Sequence, residues 1–255
     1  MLTSLTASRL KMLSTLASVL LATPHPFKNC AAADHVHVSR IELSPDPPKP
    51  GLNVDVTFNA TPDVAVSDGT LHVTVTLFGV PVPDTPTFQL CSEIGVKCPV
   101  APGQNISGHA AYGVSKIVPS GIHVTITLTA KTAAGATIGC VSFDTPIGHA
   151  GVLEEIGGAA VPWSAGARQL DAVESSAGGG EEAERWRAVF ALWRAQHGRG
   201  ASAYADRSEE ARRLSIFKAN IVGYEKRYRE TGVMPTADEH ADRTLDEVAT
   251  LSHFA

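Results

Sequence analysis

Ile122-His123-Val124-Thr125-Ile126-Thr127-Leu128 alternates apolar and polar side chains without a break. Leu71-His72-Val73-Thr74-Val75-Thr76-Leu77 repeats the pattern, and every second residue of Leu52-Asn53-Val54-Asp55-Val56-Thr57-Phe58 is apolar. Alternation of this kind predicts a β-strand with one buried face and one solvated face. The three stretches therefore predict sheets that share one apolar interior.

Weaker alternations lie near Val36–Ile41, Ala110–Val118 and Ile138–Phe143, and clusters of Pro, Gly and Asp separate the predicted strands. About seven short strands within about 120 residues predict an antiparallel β-sandwich. The three tryptophans all follow residue 160, so the sandwich lacks the buried Trp of a true immunoglobulin domain.

Composition divides the chain into two parts. The protein has 255 residues, 44% of them hydrophobic, and a formal net charge of −5. Residues 181–255 carry 25 of its 47 charged side chains, so we expect two domains. A basic excess is absent, which argues against nucleic acid as a partner. No apolar run reaches the roughly 18 residues that a membrane span needs.

The first residues have the pattern of a secretory signal peptide. Arg9 and Lys11 precede the neutral run Met12–Ala22, and Ala22 is a candidate cleavage point. The alternative is an N-terminal helix that packs on the domain. We expect residues 1–22 to be removed and the protein to be secreted or held in the lumen of a lysosome- or vacuole-like compartment.

The four cysteines allow three disulfide pairings. Cys91 and Cys98 are close enough in sequence to close a loop between strands, which leaves Cys30 to join Cys140. In an oxidising compartment we expect both bonds to form. The alternative is four free thiols in a cytosolic protein.

Residues 27–147 resemble the ML lipid-recognition family, which includes the Niemann–Pick type C soluble sterol carrier and fungal phosphatidylglycerol/phosphatidylinositol transfer proteins. The resemblance rests on the order and spacing of five features: Phe27-Lys28-Asn29-Cys30, Gly79-Val80-Pro81-Val82-Pro83, Cys91 and Cys98-Pro99, Val118-Pro119, and Cys140. It implies an immunoglobulin-like sandwich over residues 23–150 whose sheets part to admit a lipid. It also supports the two disulfide pairings.

The alternating apolar residues are the candidate walls of a lipid cavity, although the same residues would also line a filled core. These candidates are Val54, Val56, Phe58, Val73, Val75, Leu77, Val124, Ile126 and Phe143. The resemblance places the mouth of the cavity near Gly79–Pro83 and 114–119. There the candidates are Val80, Val114, Val118 and Pro119.

No catalytic or metal-binding pattern stands out, so we expect neither an enzyme nor a cofactor. The expected ligand is a sterol or a phospholipid, with transient membrane contact at most. Asn59 and Asn105 each begin an acceptor triplet for N-glycosylation, and Pro62 after Thr61 makes Asn105 the stronger candidate.

Residues 151–180 contain seven Gly, six Ala and three Ser, a composition that predicts a flexible linker between independent domains. Beyond it the apolar period changes to that of a helix: Trp186, Phe190 and Trp193 share one face. A second helix is predicted after Asp206, and a short third one after Thr244.

Residues 181–255 resemble the helical propeptide of papain-type proteases. The resemblance rests on Trp193 and on the spacing of Glu209, Arg213, Phe217 and Asn220. Tyr224 and Tyr228 depart from it, since they stand where Ile and Asn are usual, and His240 replaces a Phe.

Three functions follow from these patterns. The first is a secreted lipid-binding and transfer protein with a C-terminal propeptide-like helical hairpin. The second is an inhibitor or targeting partner of papain-like cysteine proteases that acts through residues 181–255. No catalytic Cys in Gly-rich surroundings follows the helices, so we do not expect a protease. The third is a structural sandwich with a filled core.

Overall fold

The computed structural model describes residues 24–32, 34–149, 179–200 and 203–252. The predicted signal peptide and residues 151–178 of the predicted linker lie outside the described residues.

Nine strands form two antiparallel sheets. They are β1 (Lys28–Asn29), β2 (Val36–Ser44), β3 (Asn53–Pro62), β4 (Gly69–Leu77), β5 (Val80–Pro81), β6 (Thr87–Gln89), β7 (Ile106–Gly113), β8 (His123–Thr132) and β9 (Thr137–Pro146). The larger sheet has the order β1-β9-β8-β4-β5, with β6 also paired to β4, and the smaller has the order β2-β3-β7. An antiparallel sandwich is therefore present, as the alternation predicts.

The alternating residues bury their apolar positions between the sheets. In β3 and β4 every second side chain is buried. Opposite residues on neighbouring strands meet on the same inner face: Val75 pairs with Ile126, and Ile126 pairs with Phe143. The core of the sandwich is thus built from facing rows of β-branched and aromatic side chains.

The strand expected over Ala110–Val118 begins and ends earlier in the structure, because β7 spans Ile106–Gly113. After Gly113 the chain leaves the smaller sheet and crosses to the larger one, where β8 begins at His123. Pro119 and Gly121 lie in this crossing, and both favour a turn over a strand.

The sandwich has two distinct ends. At one end are both disulfides, Cys30–Cys140 and Cys91–Cys98, in the pairing that the sequence predicts. We call it the disulfide end. At the other end are the turn Phe78–Gly79 and the crossing 114–121. We call it the helix-facing end, because the C-terminal helices pack there.

Three helices follow: α1 (Gly179–Gln196), α2 (Arg207–Thr231) and α3 (Leu245–Ser252). The Asp206 side chain caps α2 by accepting hydrogen bonds from the backbone N–H groups of Ser208 and Glu209. Thr244 and Glu247 form the reciprocal capping box at the start of α3. Gly179 and Gly180, predicted as the end of the linker, begin α1.

The helices and the sandwich do not form independent units. We call residues 179–252 the helical module. The backbone N–H of Ala237 donates to the carbonyl of Phe78 at 2.7 Å, and Arg185 Nε donates to the carbonyl of Lys116 at 3.0 Å. The expectation of independence was wrong because a Gly-rich composition describes the connection only, and says nothing about the surfaces that it joins.

Candidate functional site

An apolar cavity of about 50 Å³ lies between the sheets at the disulfide end. Its walls come from both sheets and from the loop that contains Cys91 and Cys98. They include Val36, Val38, Ile41, Phe58, Val66, Leu71, Leu90, Val96, Val100, Ile106, Leu128, Ile138 and Val141. No charged side chain lines it, so the cavity offers contact to hydrocarbon and little else.

A second cavity of about 20 Å³ lies beside the first, toward the middle of the sandwich. Phe58, Leu71 and Leu128 line both cavities and so separate them. The Phe58 ring lies over Gly108 of the neighbouring strand, where an added Cβ would be 2.2 Å from Phe58 Cζ. Because Gly108 has no side chain, the Phe58 ring can occupy the space beside it.

The predicted wall residues fall into two groups. Val54, Val56, Phe58, Val73 and Ile126 line the second cavity, and Phe58 also lines the first. The other predicted wall residues are buried in the core without lining either cavity: Val75, Leu77, Val124 and Phe143. The second group packs toward the helix-facing end.

Several wall residues of the larger cavity were missed from the sequence. Val96 lies in the loop that Cys91–Cys98 closes, and Leu90 and Val100 flank that loop. The available signal was the recurrence of apolar residues among polar ones within and beside this loop. Val36 and Ile138 lie on strands with weak alternation, and only the packing of the sheets brings them together.

The predicted mouth residues lie at the opposite end from the larger cavity. Val80, Val114, Val118 and Pro119 are buried at the helix-facing end. There the Gln196 amide donates to the carbonyl of Gly79 at 3.4 Å, and the Ser120 N–H donates to Glu182 Oε1 at 3.3 Å. The helical module thus covers the region in which the mouth was expected.

Polar chemistry near the cavities is sparse. Among the described residues, Tyr112 is the one titratable side chain that lines either cavity. Burial, and secondarily the charge of Asp84, raises the pKa of its hydroxyl, which therefore stays protonated. Among the described residues, no group of three His, Cys, Asp or Glu side chains could hold a metal ion. None of the described helices is both long and apolar enough to span a membrane.

The five propeptide-motif residues meet inside the helical module. Trp193 and Phe217 are fully buried, with ring centroids 5.2 Å apart. Asn220 donates to the carbonyls of Ala241 and Arg243 at 2.8 and 2.9 Å. These contacts hold α1 and α2 against the segment that leads into α3.

Arg213 completes this network through two carboxylates. Its guanidinium contacts Glu209 at 2.6 Å and Glu247 at 2.7 Å. The Thr244 N–H first, and then Arg213, lowers the pKa of Glu247 to about 2. Arg213 likewise lowers the pKa of Glu209.

The fold and its interior define an antiparallel β-sandwich with apolar cavities between its sheets. Residues 24–147 match the family model of the ML domain. The family model thus covers the sandwich, and the helical module lies outside the match.

Two curated relatives align with the sandwich. A phosphatidylglycerol/phosphatidylinositol transfer protein of Mycosarcoma maydis is 28% identical over 128 residues, which are 48% of this chain and 65% of that protein. A protein of the same name from Aspergillus oryzae (strain ATCC 42149 / RIB 40) is 28% identical over 83 residues, 31% of this chain and 47% of that protein. The chain thus spans between about half and two thirds of the length of these relatives.

Two solved structures each resemble about half of the chain. A Niemann–Pick type C2 protein from Japanese carpenter ant is 26% identical with a TM-score of 0.41, over 48% of this chain and 98% of that one. Chicken MD-1 complexed with lipid IVa is 12% identical with a TM-score of 0.34, over 48% of this chain and 97% of that one.

Proposed function

We propose that this protein binds a lipid between the two sheets of its sandwich and transfers it between membranes, without chemistry on the ligand. The observation that carries the proposal is the pair of adjoining apolar cavities inside the sandwich that matches the ML-domain family model. A phospholipid is the first candidate, because both curated relatives are named for phosphatidylglycerol and phosphatidylinositol transfer. A sterol is the second.

The cavities must expand to hold such a ligand. Their volumes of about 50 and 20 Å³ are far below the roughly 300–1,000 Å³ of ligand pockets. Movement of Phe58 would join them, since its ring lies between the two. Separation of the sheets would add the remaining volume.

The covalent structure permits that separation. Cys30 follows β1 and Cys140 lies in β9, so this disulfide joins parts of the larger sheet. Cys91–Cys98 closes a loop within itself. Neither disulfide joins a strand of one sheet to a strand of the other, so the sheets can move apart with both bonds intact.

Apolar contact alone supplies a free energy of the same size as the cost of immobilising the ligand. Each buried CH₂ contributes about 0.8 kcal/mol, so a 14-carbon chain gains about 11 kcal/mol. Lost motion of the ligand costs an estimated 4–15 kcal/mol. Walls without charge favour the acyl chain or sterol body and leave the headgroup weakly selected.

Binding is tested by native mass spectrometry of the purified protein after incubation with phosphatidylglycerol, phosphatidylinositol or sterol vesicles. Leu71 lines both cavities, so Leu71→Trp should reduce uptake at least tenfold. Thr74 is exposed on the opposite face of the same strand, so Thr74→Trp is the matched control. Equal uptake by both variants, each with the circular dichroism of the wild type, would contradict the proposed site.

We also propose that the protein is secreted and that its sandwich has the immunoglobulin-like form which the resemblance implies. Two disulfides support an oxidising compartment. Asn59 and Asn105 are exposed, and the Thr61 hydroxyl of the first acceptor triplet donates to Asn105 Oδ1 at 2.6 Å. A loss of mass on N-glycosidase treatment, abolished in Asn105→Gln, would show glycosylation at Asn105.

We infer a propeptide-like form for the helical module from the network around Arg213 and Asn220. Protease inhibition is not part of the proposal, because α2 packs against the sandwich through Tyr224 and Tyr228. A surface already covered in this way is not free to bind a protease.

A further inference from the structure

The turn Phe78–Gly79 joins β4 to β5 with two residues of positive φ, 48° and 83°. Two-residue hairpin turns of this kind favour Asn, Asp or Gly, and a bulky residue in the left-handed region is strained. The Phe78 side chain is nevertheless completely buried. Its ring packs edge-on against Tyr224 of α2, with centroids 6.1 Å apart. The contact that compensates for the strained turn therefore comes from the helical module.

Glu225 of α2 is 5% exposed, and its charge depends on the sandwich. The backbone N–H and ring Nδ1 of His123 lie 2.8 Å from its two carboxylate oxygens, and Arg229 of the same helix contacts it at 2.5 Å. A buried carboxylate is costly unless it is paired and hydrogen-bonded. Packing on His123 thus adds two hydrogen bonds to the one that Arg229 of the same helix supplies.

Tyr224 and Tyr228 depart from the propeptide pattern, and both contact the sandwich. The Tyr228 ring lies 4.8 Å from the His123 ring, and its hydroxyl donates to Asp144 Oδ2 at 3.0 Å. Phe217 and Asn220, which match the propeptide pattern, face the interior of the helical module instead. The two departures on α2 therefore lie where this helix meets the sheet.

We propose that the helical module is an intramolecular cap that keeps the helix-facing end of the sandwich closed, so that a lipid enters and leaves at the disulfide end. This inference rests on the proposed lipid-binding function. The module covers the Phe78–Gly79 turn and the crossing 114–121, which together close one end of the interior. The larger cavity lies at the other end, away from every contact of the module named above.

The cap is tested in the full chain with Glu225→Ala. Glu230→Ala is the matched control, since Glu230 lies on the same helix with a side chain that is 63% exposed. The first measurement is hydrogen exchange at the backbone amides of Ser120 and Ala237, which are hydrogen-bonded across the interface. The second is the rate at which fluorescent phosphatidylglycerol leaves the loaded protein for phosphatidylcholine vesicles.

We expect Glu225→Ala to accelerate both rates at least tenfold and Glu230→Ala to change neither. If the two amides stay protected in Glu225→Ala, both measurements are repeated on a triple variant that also carries Tyr224→Ala and Tyr228→Ala. Continued protection in that triple variant would overturn the interface. Fast exchange at both amides together with unchanged or slower lipid transfer would overturn the capping role.

The route is tested by narrowing the disulfide end. Val96→Trp fills the larger cavity from its loop and should stop transfer in the capped protein. Adding Glu225→Ala should restore transfer through the opened end, whereas transfer that stays blocked would contradict the two-ended route. If the wild type takes up no lipid, the proposed function is refuted instead. The two failures can be told apart because amide exchange reports docking of the helical module whether or not a lipid is bound.

Discussion

Gly108 and Phe58 show at the residue scale how the interior is partitioned. The two residues face each other across β3 and β7, and the ring occupies the space that a side chain at position 108 would need. The absence of one Cβ thus determines where the ring that separates the two cavities lies.

We predict that Gly108→Ala destabilises the sandwich by about 1–3 kcal/mol, because the added methyl overpacks a rigid ring. The measurement is urea unfolding followed by circular dichroism. Gly113→Ala in the same strand is the control, since its Cβ would meet only Asn53 Oδ1 at 3.6 Å. A Gly108→Ala variant as stable as Gly113→Ala would show that the Phe58 ring moves freely.

At the scale of the helices, the side chain of Phe217 links α1 to α2. It is fully buried against Trp193 and Phe190, with ring centroids at 5.2 and 5.3 Å. We predict that Phe217→Ala costs the helical module about 3–5 kcal/mol. Loss of helical circular dichroism on mild heating, with the sheet signal retained, would show this. Simultaneous loss of both signals would mean that the sandwich depends on the module for its own stability.

The capping box of α3 predicts a pH dependence of the same elements. Because Thr244 and Arg213 lower the pKa of Glu247 from 4.5 to about 2, its stabilising effect is complete above pH 4.5. That effect is lost as the pH falls toward 2. We therefore expect the midpoint of thermal unfolding of the helices to decrease over this window.

Arg213→Ala provides the control for that titration. Without the guanidinium the pKa of Glu247 should lie nearer its ordinary value, so less stability remains to be lost below pH 4.5. An equally steep acid dependence in Arg213→Ala would assign the effect to other carboxylates.

At the scale of the whole molecule, the two disulfides differ in the length of chain that each of them closes. Cys30 and Cys140 are separated by 110 residues, and Cys91 and Cys98 by 7. From loop entropy alone the first bond should stabilise the fold by about 4.8 kcal/mol and the second by about 2.4 kcal/mol.

We therefore predict that Cys30→Ser with Cys140→Ser lowers the free energy of unfolding by about twice as much as Cys91→Ser with Cys98→Ser. Chemical denaturation of the two double variants measures this difference. A reversed order would indicate that the short loop matters chiefly as a wall of the larger cavity.

Much of the fold could be predicted because its signals are local. The alternation in residues 71–77 and 122–128 indicates a strand from neighbouring side chains alone, and Asp206 and Thr244 mark helix starts through bonds to the next few residues. Even the disulfide pairing followed from spacing. The composition of residues 151–180 predicts a linker in the same way; Gly179 and Gly180 instead begin α1, and for residues 151–178 the prediction stays open.

The positions of the cavities and of the helices depended on tertiary structure. A cavity is the volume left between side chains that are far apart in sequence, such as Val36 and Val96, so no local pattern reports it. The burial of Phe78 and the pairing of Glu225 with His123 likewise join residues more than 100 positions apart. Short-range periodicity and hydrogen bonding thus predicted the long strands and the starts of the last two helices, but not the short strands β1, β5 and β6. Only the packing of the strands and helices decided which end of the sandwich is covered.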